Sequence, residues 1–280
     1  MRRQPEAWMH TITLDKVEVE FPKPGEPSER VRALQDLTLE VKEQEFVCLL
    51  GPSGCGKSTA LNLIAGFTEP TGGSVHVDDK PIDGPGPERG VVFQDATIFP
   101  WMTVRDNVGF GPSVRGSAAK AEIAERIDEY LERVGLEAFG DHLPNELSGG
   151  MRQRVGLARV LINDPPILLM DEPFGALDAQ TRITMQELLL ELWERDRKTV
   201  LFVTHDIDEA LILSDRVVVM TARPGRIRET IPVNLPRPRS HELITDPTYV
   251  ELRHTLFEQL RGESHRADEL EGLATTAGGR

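Results

Sequence analysis

The stretch Gly51-Pro52-Ser53-Gly54-Cys55-Gly56-Lys57-Ser58 decides the fold. It fits the pattern G-x-x-x-x-G-K-[ST], in which backbone N–H groups surround the phosphates of a nucleotide. The wholly apolar run Phe46–Leu50 precedes it, and Ser58–Gly66 follows with apolar residues at helical spacing. A buried strand, a glycine-rich loop and a helix in this order predict a phosphate cradle; a structural glycine turn is the alternative.

The residue types in the cradle indicate separate roles. Lys57 can reach the β- and γ-phosphates, and the Ser58 hydroxyl can bind Mg²⁺. The start of the helix adds partial positive charge. The residues predicted to bind ATP here are Gly51, Pro52, Ser53, Gly54, Cys55, Gly56, Lys57, Ser58 and Thr59. The cradle alone indicates only a nucleoside triphosphate, because kinases, GTPases and motors share it.

Strands and helices alternate outward from the cradle. Further buried strands are predicted at Gly90–Phe93, Ile167–Met170, Val200–Val203 and Val217–Met220, and helices at Ser117–Val134, Met151–Leu161 and Gln180–Arg195. This order predicts an α/β fold with a mainly parallel sheet and helices on both faces. Thr11–Glu20 and Leu37–Val41 alternate apolar and polar residues, as half-buried strands do. The proline-rich segment 21–28 is predicted to be a loop, and Ala267–Arg280 a frayed tail.

Two acids stand where the strand Ile167–Met170 ends. Asp171 at the tip of a buried strand can hold Mg²⁺, and Glu172 can orient or deprotonate the attacking water. The alternative is a strand-end pair that leads into a turn, since Pro173 and Gly175 follow. The presence of the cradle favours the catalytic interpretation.

Two more polar residues follow apolar strands. His205 comes after Val200–Val203 and is predicted to contact the γ-phosphate, although a lone histidine is more often structural. Gln94 comes after Gly90–Phe93, and its amide is predicted to touch Mg²⁺ and the water. Lys57, Gln94, Glu172 and His205 form the predicted catalytic set, and Ser58, Gln94 and Asp171 the predicted metal ligands.

The segment Leu147-Ser148-Gly149-Gly150-Met151-Arg152-Gln153 begins another helix. A serine and two glycines at a helix start can bind an anion, whereas an ordinary serine cap is the alternative. One nucleotide does not need two such sites. We therefore expect the second site to serve the nucleotide of another copy, in a two-fold dimer with two ATP molecules between the subunits.

Taken together, these motifs and Gly175-Ala-Leu-Asp178 closely resemble the ATP-binding subunits of ABC transporters over residues 11–235. The resemblance implies a P-loop NTPase (RecA-like) core with an antiparallel β subdomain and an inserted α-helical subdomain. The core is expected over 11–94 and 164–235, the helical subdomain over 95–163, an N-terminal extension over 1–10 and a short C-terminal extension over 236–280.

The resemblance also implies roles for individual residues. Phe21 would stack on adenine, with Ala33 near the same base. Asp178 would lie in the dimer loop. The residues that would face the ATP of the opposite protomer are Leu147, Ser148, Gly149, Gly150 and Gln153.

Finer features resemble the nitrate, sulfonate and taurine importer branch. These are Gly84–Gly90, Phe93–Val104, Ala222–Ile227 and Leu235–Arg239. The branch implies import of a small oxyanion, with a separate membrane permease and a periplasmic or lipid-anchored substrate-binding protein as partners. The chain would lie at the cytoplasmic face of the membrane.

Composition and motifs argue against other classes of function. The 280 residues carry a formal net charge of −14, which disfavours a nucleic-acid partner. No run approaches the ~18 apolar residues of a membrane span, and the two cysteines, Cys48 and Cys55, are expected to stay reduced. A soluble ABC-type ATPase that acts on ribosomes or DNA is the main alternative. A P-loop kinase would leave Ser148–Gly150 and His205 without a role.

Overall fold

The computed structural model describes residues 10–23, 25–116 and 119–277. Its strands are β1 Ile12–Lys23, β2 Glu26–Val41, β3 Phe46–Leu50, β4 Gly72–Val77, β5 Lys80–Pro81, β6 Arg89–Val92, β7 Ile167–Asp171, β8 Thr199–Thr204, β9 Arg216–Met220 and β10 Ile227–Pro232. Its α-helices are α1 Lys57–Ala65, α2 Val104–Arg115, α3 Lys120–Arg133, α4 Gly149–Leu161, α5 Ala179–Arg195, α6 Ile207–Leu213 and α7 Pro247–Ala277. Short 3₁₀ helices cover Glu137–Phe139, Pro144–Glu146 and His241–Thr245. The chain divides into two compact units, Met1–Gly86 with Lys198–Arg280, and Pro87–Arg197.

The first unit contains two sets of paired strands. One is an antiparallel sheet in the order β2-β1-β4-β5. In the other, β3 pairs in parallel with β8 and β9, and β10 pairs antiparallel with β9. Every residue of β3 and β8 is buried, which explains why these strands read as continuous apolar runs without alternation.

The second unit combines β6 and β7, which are parallel, with four helices. Helix α2 packs against α3 and α4, and α4 packs against β6. In α3 the buried residues Ile123, Ile127 and Leu131 recur every four positions, as the sequence pattern predicted. The helix predicted from residue 117 begins at Lys120, and residues 117 and 118 lie outside the described residues.

The predicted loop at residues 21–28 is wrong, because most of this segment is strand. Strand β1 continues to Lys23 and β2 begins at Glu26, with Phe21 opposite Val31 and Pro22 opposite Arg30. Prolines are tolerated here because β4 pairs with β1 only up to Glu18, which leaves the end of β1 without a second neighbour. The segment is therefore a β-hairpin.

The C-terminal extension is more ordered than the sequence indicated. The frayed tail predicted over 267–280 is wrong as far as residue 277, because α7 continues to Ala277; residues 278–280 lie outside the described residues. The residues of α7 that face inward include Tyr249, Leu256 and Glu263, seven positions apart, and all three are fully buried. Of the predicted N-terminal extension 1–10, only His10 is described.

Candidate nucleotide-binding site

The loop between β3 and α1 has the backbone of a phosphate cradle. Gly54 and Gly56 have φ angles of 72° and 101°, in the left-handed region that favours glycine. A Cβ on Gly56 would lie 2.6 Å from Leu34 Cδ2 and 3.0 Å from the carbonyl oxygen of Ala33. Only glycine therefore fits this position, and it allows the loop to turn tightly into the start of α1, where backbone N–H groups favour an anion.

Lys57 folds back across the cradle. Its Nζ donates hydrogen bonds to the carbonyl oxygens of Gly51 at 2.7 Å and Pro52 at 2.9 Å, and the residue is 5% exposed. Ser58, next in α1, is exposed. The structure thus places an ammonium group at the cradle and an exposed hydroxyl at the helix start, the two groups predicted to meet the phosphates and Mg²⁺.

Cys48 and Cys55 are free, buried thiols. Burial raises the pKa of both, and for Cys55 the nearby Lys57 opposes this effect. The Cys55 sulfur would lie 2.9 Å from a Cβ placed on Gly51. Cys55 therefore acts as a packing residue beneath the cradle rather than as a reactive nucleophile.

The two residues expected near adenine lie on the hairpin strands of the same unit. Ala33 on β2 is 8% exposed, and its carbonyl oxygen is the atom that approaches Gly56. Phe21 is on β1 and 41% exposed, so its ring is available to a ligand. The structure brings Ala33 directly to the cradle.

His205 directly follows β8, the strand that pairs with β3, and β3 leads into the cradle. Leu50 pairs with Thr204, so Gly51 and His205 follow neighbouring strand ends. The Thr204 hydroxyl donates to Glu209 Oε2 at 2.6 Å and accepts from the backbone N–H of Asp206 at 3.0 Å. His205 is exposed between these two residues, whose hydrogen bonds hold the backbone on either side of it.

The second unit brings Gln94 and Glu172 together. Val92 of β6 pairs with Met170 of β7, so the residues after both strands emerge at one edge. Gln94 Nε2 donates to Glu172 Oε2 at 3.4 Å, and Asp171 is the last residue of β7. The Gln94 amide therefore contacts the Glu172 carboxylate, and Asp171 precedes Glu172 in the chain.

Glu172 has an unusual backbone. Its φ is 43°, in the left-handed region, where a residue with a side chain costs of order 1 kcal/mol. Its carbonyl oxygen accepts from the backbone N–H of Gly175 at 3.1 Å, which closes the turn. Such positions persist where the surrounding structure enforces them, and they concentrate at functional sites.

The segment Leu147–Gln153 divides into an exposed part and a buried part. Ser148 caps α4, since its Oγ accepts from the backbone N–H of Met151 at 3.2 Å, and Ser148 and Gly149 are exposed. Leu147 is 5% exposed and Gln153 3% exposed. Gln153 Nε2 donates to the carbonyl oxygen of Phe93 at 3.1 Å. Gln153 thus connects α4 to the residue before Gln94, a contact that the sequence did not indicate.

Asp178 is also a helix cap. Its Oδ1 accepts from the backbone N–H of Thr181 at 3.0 Å at the start of α5. This hydrogen bond lowers the pKa of the Asp178 carboxyl. The side chain is exposed, so it faces outward at the end of the turn that begins at Glu172.

Sequence reasoning missed Asn107, which shapes the loop between Gln94 and α2. Asn107 is fully buried. Its Nδ2 donates to the carbonyl oxygens of Phe99, Met102 and Thr103, and its Oδ1 accepts from the backbone N–H of Phe99 at 2.7 Å. The capping pattern of Thr103 and Asp106 was the available signal, because it places Asn107 in the first turn of α2.

The loop that Asn107 holds presents aromatic rings. Phe99 stacks on Trp101 with centroids 5.5 Å apart and meets Phe110 edge-on at 4.8 Å. The Arg159 guanidinium lies 4.1 Å from the Phe99 ring centroid. Trp101 is 72% exposed. These four residues are called the aromatic cluster below; Phe110 and Arg159 border a cavity of about 380 Å³ within the second unit.

Comparisons with known proteins identify the family of this chain. The family model of the ABC transporter matches residues 34–175. The fold and the cradle define a P-loop NTPase, and the chain belongs to the ABC transporter family of ATP-binding subunits. This family hydrolyses ATP. In the described parts of the chain, no helix has both the length and the apolar character needed to cross a bilayer.

Two relatives carry the names of nitrate and taurine import proteins, the branch that the sequence resembles. The nitrate import ATP-binding protein NrtD of Synechococcus elongatus is 48% identical over 86% of this chain and 88% of its own. The taurine import ATP-binding protein TauB of Roseobacter denitrificans is 48% identical over 79% of this chain and 81% of its own. A dimeric structure of the ATP-binding cassette MJ0796 with ADP and Pi superposes with a TM-score of 0.72 at 35% identity, over 80% of this chain and all of that one. The predicted fold and branch resemblance are confirmed.

Proposed function

We propose that this chain is the ATP-hydrolysing motor of an importer for a small oxyanion, coupled to a separate membrane permease. The observation that carries the proposal is the 48% identity, over at least 81% of their lengths, to two proteins named import ATP-binding proteins. Nitrate and taurine are the substrates in those names, and both are small and carry an oxyanion group. In the proposal a substrate-binding protein, periplasmic or lipid-anchored, delivers the oxyanion, and this chain works at the cytoplasmic face.

In the proposed mechanism the cradle holds the triphosphate. Lys57 exchanges its hydrogen bonds to Gly51 and Pro52 for phosphate oxygens, so its charge offsets that of the β- and γ-phosphates. His205 is proposed to hydrogen-bond the γ-phosphate from the neighbouring strand end. Phe21 stacks on the adenine beside Ala33.

Glu172 is proposed to orient the attacking water and accept its proton, with the Gln94 amide fixing the carboxylate that it contacts. The oxygen donors Ser58, Gln94 and Asp171 would hold Mg²⁺, which neutralises developing phosphate charge when bound. Mg²⁺ is commonly held by one or two carboxylates together with substrate phosphates. Asp171, the last residue of β7, is the one carboxylate in the proposed set.

A second copy is proposed to complete each site. Ser148 and Gly149 form the exposed start of α4, a helix of 13 residues whose first N–H groups favour an anion. In a two-fold dimer this helix start would face the γ-phosphate held by the partner's cradle, with Asp178 at the same interface. The dimeric state of the MJ0796 cassette supports this arrangement.

The aromatic cluster is the proposed contact with the permease. An exposed tryptophan on a loop whose backbone is fixed offers a large rigid contact area at little entropic cost. The same loop begins at Gln94, so a change at the nucleotide can reach the permease through Phe99–Trp101. A soluble ATPase unrelated to transport, the alternative function, would have no permease to contact through this surface.

Trp101→Ala is expected to weaken co-purification with the permease by about tenfold, because a buried interface tryptophan is commonly worth more than 1 kcal/mol. The measurement is the fraction of chain retained on an immobilised permease encoded beside it. Because Trp101 is 72% exposed and loses only its stack on Phe99, the thermal midpoint of the isolated chain should fall by no more than about 5 °C.

Phe67→Ala is the matched control, since Phe67 is 48% exposed and outside the second unit. Equal retention of Trp101→Ala, Phe67→Ala and the unmodified chain would contradict the proposed contact of the aromatic cluster with the permease.

In membranes that hold the permease, ATP hydrolysis should rise with nitrate- or taurine-loaded binding protein. No response to any oxyanion-loaded binding protein would contradict the substrate class.

A further inference from the structure

The C-terminal helix α7 carries a carboxylate that is buried completely. Glu263 is 0% exposed. Its Oε2 accepts from the backbone N–H of Ala222 at 2.8 Å, and its Oε1 accepts from Arg228 and, at 3.0 Å, from Arg266. A buried charge is costly unless it is paired and hydrogen-bonded, and here three hydrogen bonds satisfy both carboxylate oxygens. Glu263 therefore fixes α7 to the segment at Ala222.

That segment, residues 221–226, connects β9 to β10 and is called the β9–β10 turn. The backbone N–H of Thr221 donates to Arg226 O at 2.9 Å, and Arg226 N–H donates to the Thr221 hydroxyl at 3.0 Å. The same hydroxyl donates to Pro224 O at 3.1 Å. These bonds close the turn on itself, so a displacement at Ala222 is transmitted to the residues at its tip.

The tip of the turn forms the wall behind the cradle. Gly225 donates its N–H to Ala33 O at 2.8 Å, and its carbonyl oxygen accepts from Gln35 N–H at 3.0 Å. A Cβ on Gly225 would lie 2.0 Å from the carbonyl oxygen of Cys55, so the two backbones touch. Arg223 Nη2 would lie 3.7 Å from a Cβ on Gly54. The turn therefore supports the part of the loop that must keep its shape to receive phosphates.

The other end of α7 contacts the helix that follows His205. Tyr249 OH and Arg253 Nε each donate to Asp208 Oδ1 at 2.8 Å. Asp208 lies in the first turn of α6, three residues beyond His205. One helix thus contacts the segments that adjoin both nucleotide-facing elements of the first unit.

We propose that α7 braces the nucleotide site and that Glu263 is the positioning residue for the cradle, acting through the β9–β10 turn. Without this carboxylate the Ala222 N–H is buried without an acceptor and Arg228 loses its partner, so the turn moves away from Cys55 and the cradle loosens. The inference depends on ATP binding in the cradle and not on import, the permease or the oxyanion.

The test measures ATP affinity and maximal turnover separately in the full-length chain. Glu263→Ala is expected to weaken ATP binding about tenfold, with turnover at saturating ATP within about twofold of the unmodified chain, because the brace shapes binding and not the chemical step. Glu263→Gln keeps an acceptor for Ala222 and is expected to weaken binding only about threefold. Glu258→Ala, at an exposed position of the same helix, should bind as the unmodified chain does.

A second measurement uses the unmodified chain and remains decisive where Glu263→Ala fails to fold. If opening of the β9–β10 turn is incompatible with binding, ADP at ten times its Kd should slow hydrogen exchange of the Ala222 amide by up to about 11-fold. Exchange at Ala222 that ADP leaves unchanged, or a folded Glu263→Ala that binds ATP as tightly as Glu258→Ala, would overturn the proposal. ATP binding by the unmodified chain in the same assay checks the cradle independently.

Discussion

Glu172→Gln is expected to lower ATP turnover by at least ~10²-fold while ATP binding is retained. Glutamine has nearly the same shape and keeps the contact distance to Gln94, but it cannot take the proton of the attacking water. Nucleotide binding depends on the cradle, which this change does not touch. A protein that binds ATP and cannot hydrolyse it should also accumulate as the closed dimer, which size-exclusion chromatography with ATP would detect.

Glu191→Gln is the matched control, because Glu191 is an exposed glutamate on α5 in the same unit. It should turn over ATP as the unmodified chain does and return to monomer as ATP is consumed. Normal turnover in Glu172→Gln would remove Glu172 from its proposed role. Lost ATP binding in that variant would instead indicate that Glu172 shapes the nucleotide pocket.

Gly149→Asp is expected to lower turnover by ~10²-fold or more through the partner's site. A Cβ at Gly149 meets only Arg152 Nη2, at 3.9 Å, so the side chain fits without a clash. An acid in the first turn of α4 favours the helix dipole, so folding should not suffer. At the proposed interface, however, its charge would repel the γ-phosphate. Gly149→Ala, which adds the Cβ without the charge, should retain most activity.

Mixing Gly149→Asp with Lys57→Ala tests the shared site directly. Each variant alone should be inactive. In a mixed dimer one site combines both defects and the other combines none, so equal mixing should restore up to about a quarter of the unmodified rate. A mixture as inactive as its components, with mixed dimers demonstrated, would show that each chain supplies its own signature helix.

The sequence predicted the elements around the cradle because their signals are local. The run Phe46–Leu50 became β3 residue for residue, and α3 and α5 begin and end within a few positions of the predicted helices. Burial on one face of a helix gives a helical period, and burial on both faces of a strand gives a continuous apolar run; both patterns can be read along the chain. The hairpin at residues 21–28 was not predicted, because its prolines indicated a loop. Its strand pairing depends on residues about ten positions away, which no local pattern reports.

Helix α7 was missed for a related reason. Its inward positions Tyr249, Leu256 and Glu263 have the spacing of a packed helix face, but the third is a charged residue whose partners lie on distant strands and turns. A pattern that counts apolar residues reads Glu263 as solvent-facing. The positive φ of Glu172 and the Gln153–Phe93 hydrogen bond were hidden in the same way, because both depend on tertiary contacts.

Asn107 fixes the backbone of the loop between Gln94 and α2 but does not determine which side chains the loop presents. Its amide fixes the main chain of Phe99, Met102 and Thr103, whereas Pro100 and Trp101 face outward. Outward side chains can therefore be exchanged by mutation while the path of the chain is preserved. A cassette built this way can be matched to a different membrane protein by few substitutions, which makes the loop a natural place to graft new pairing specificity.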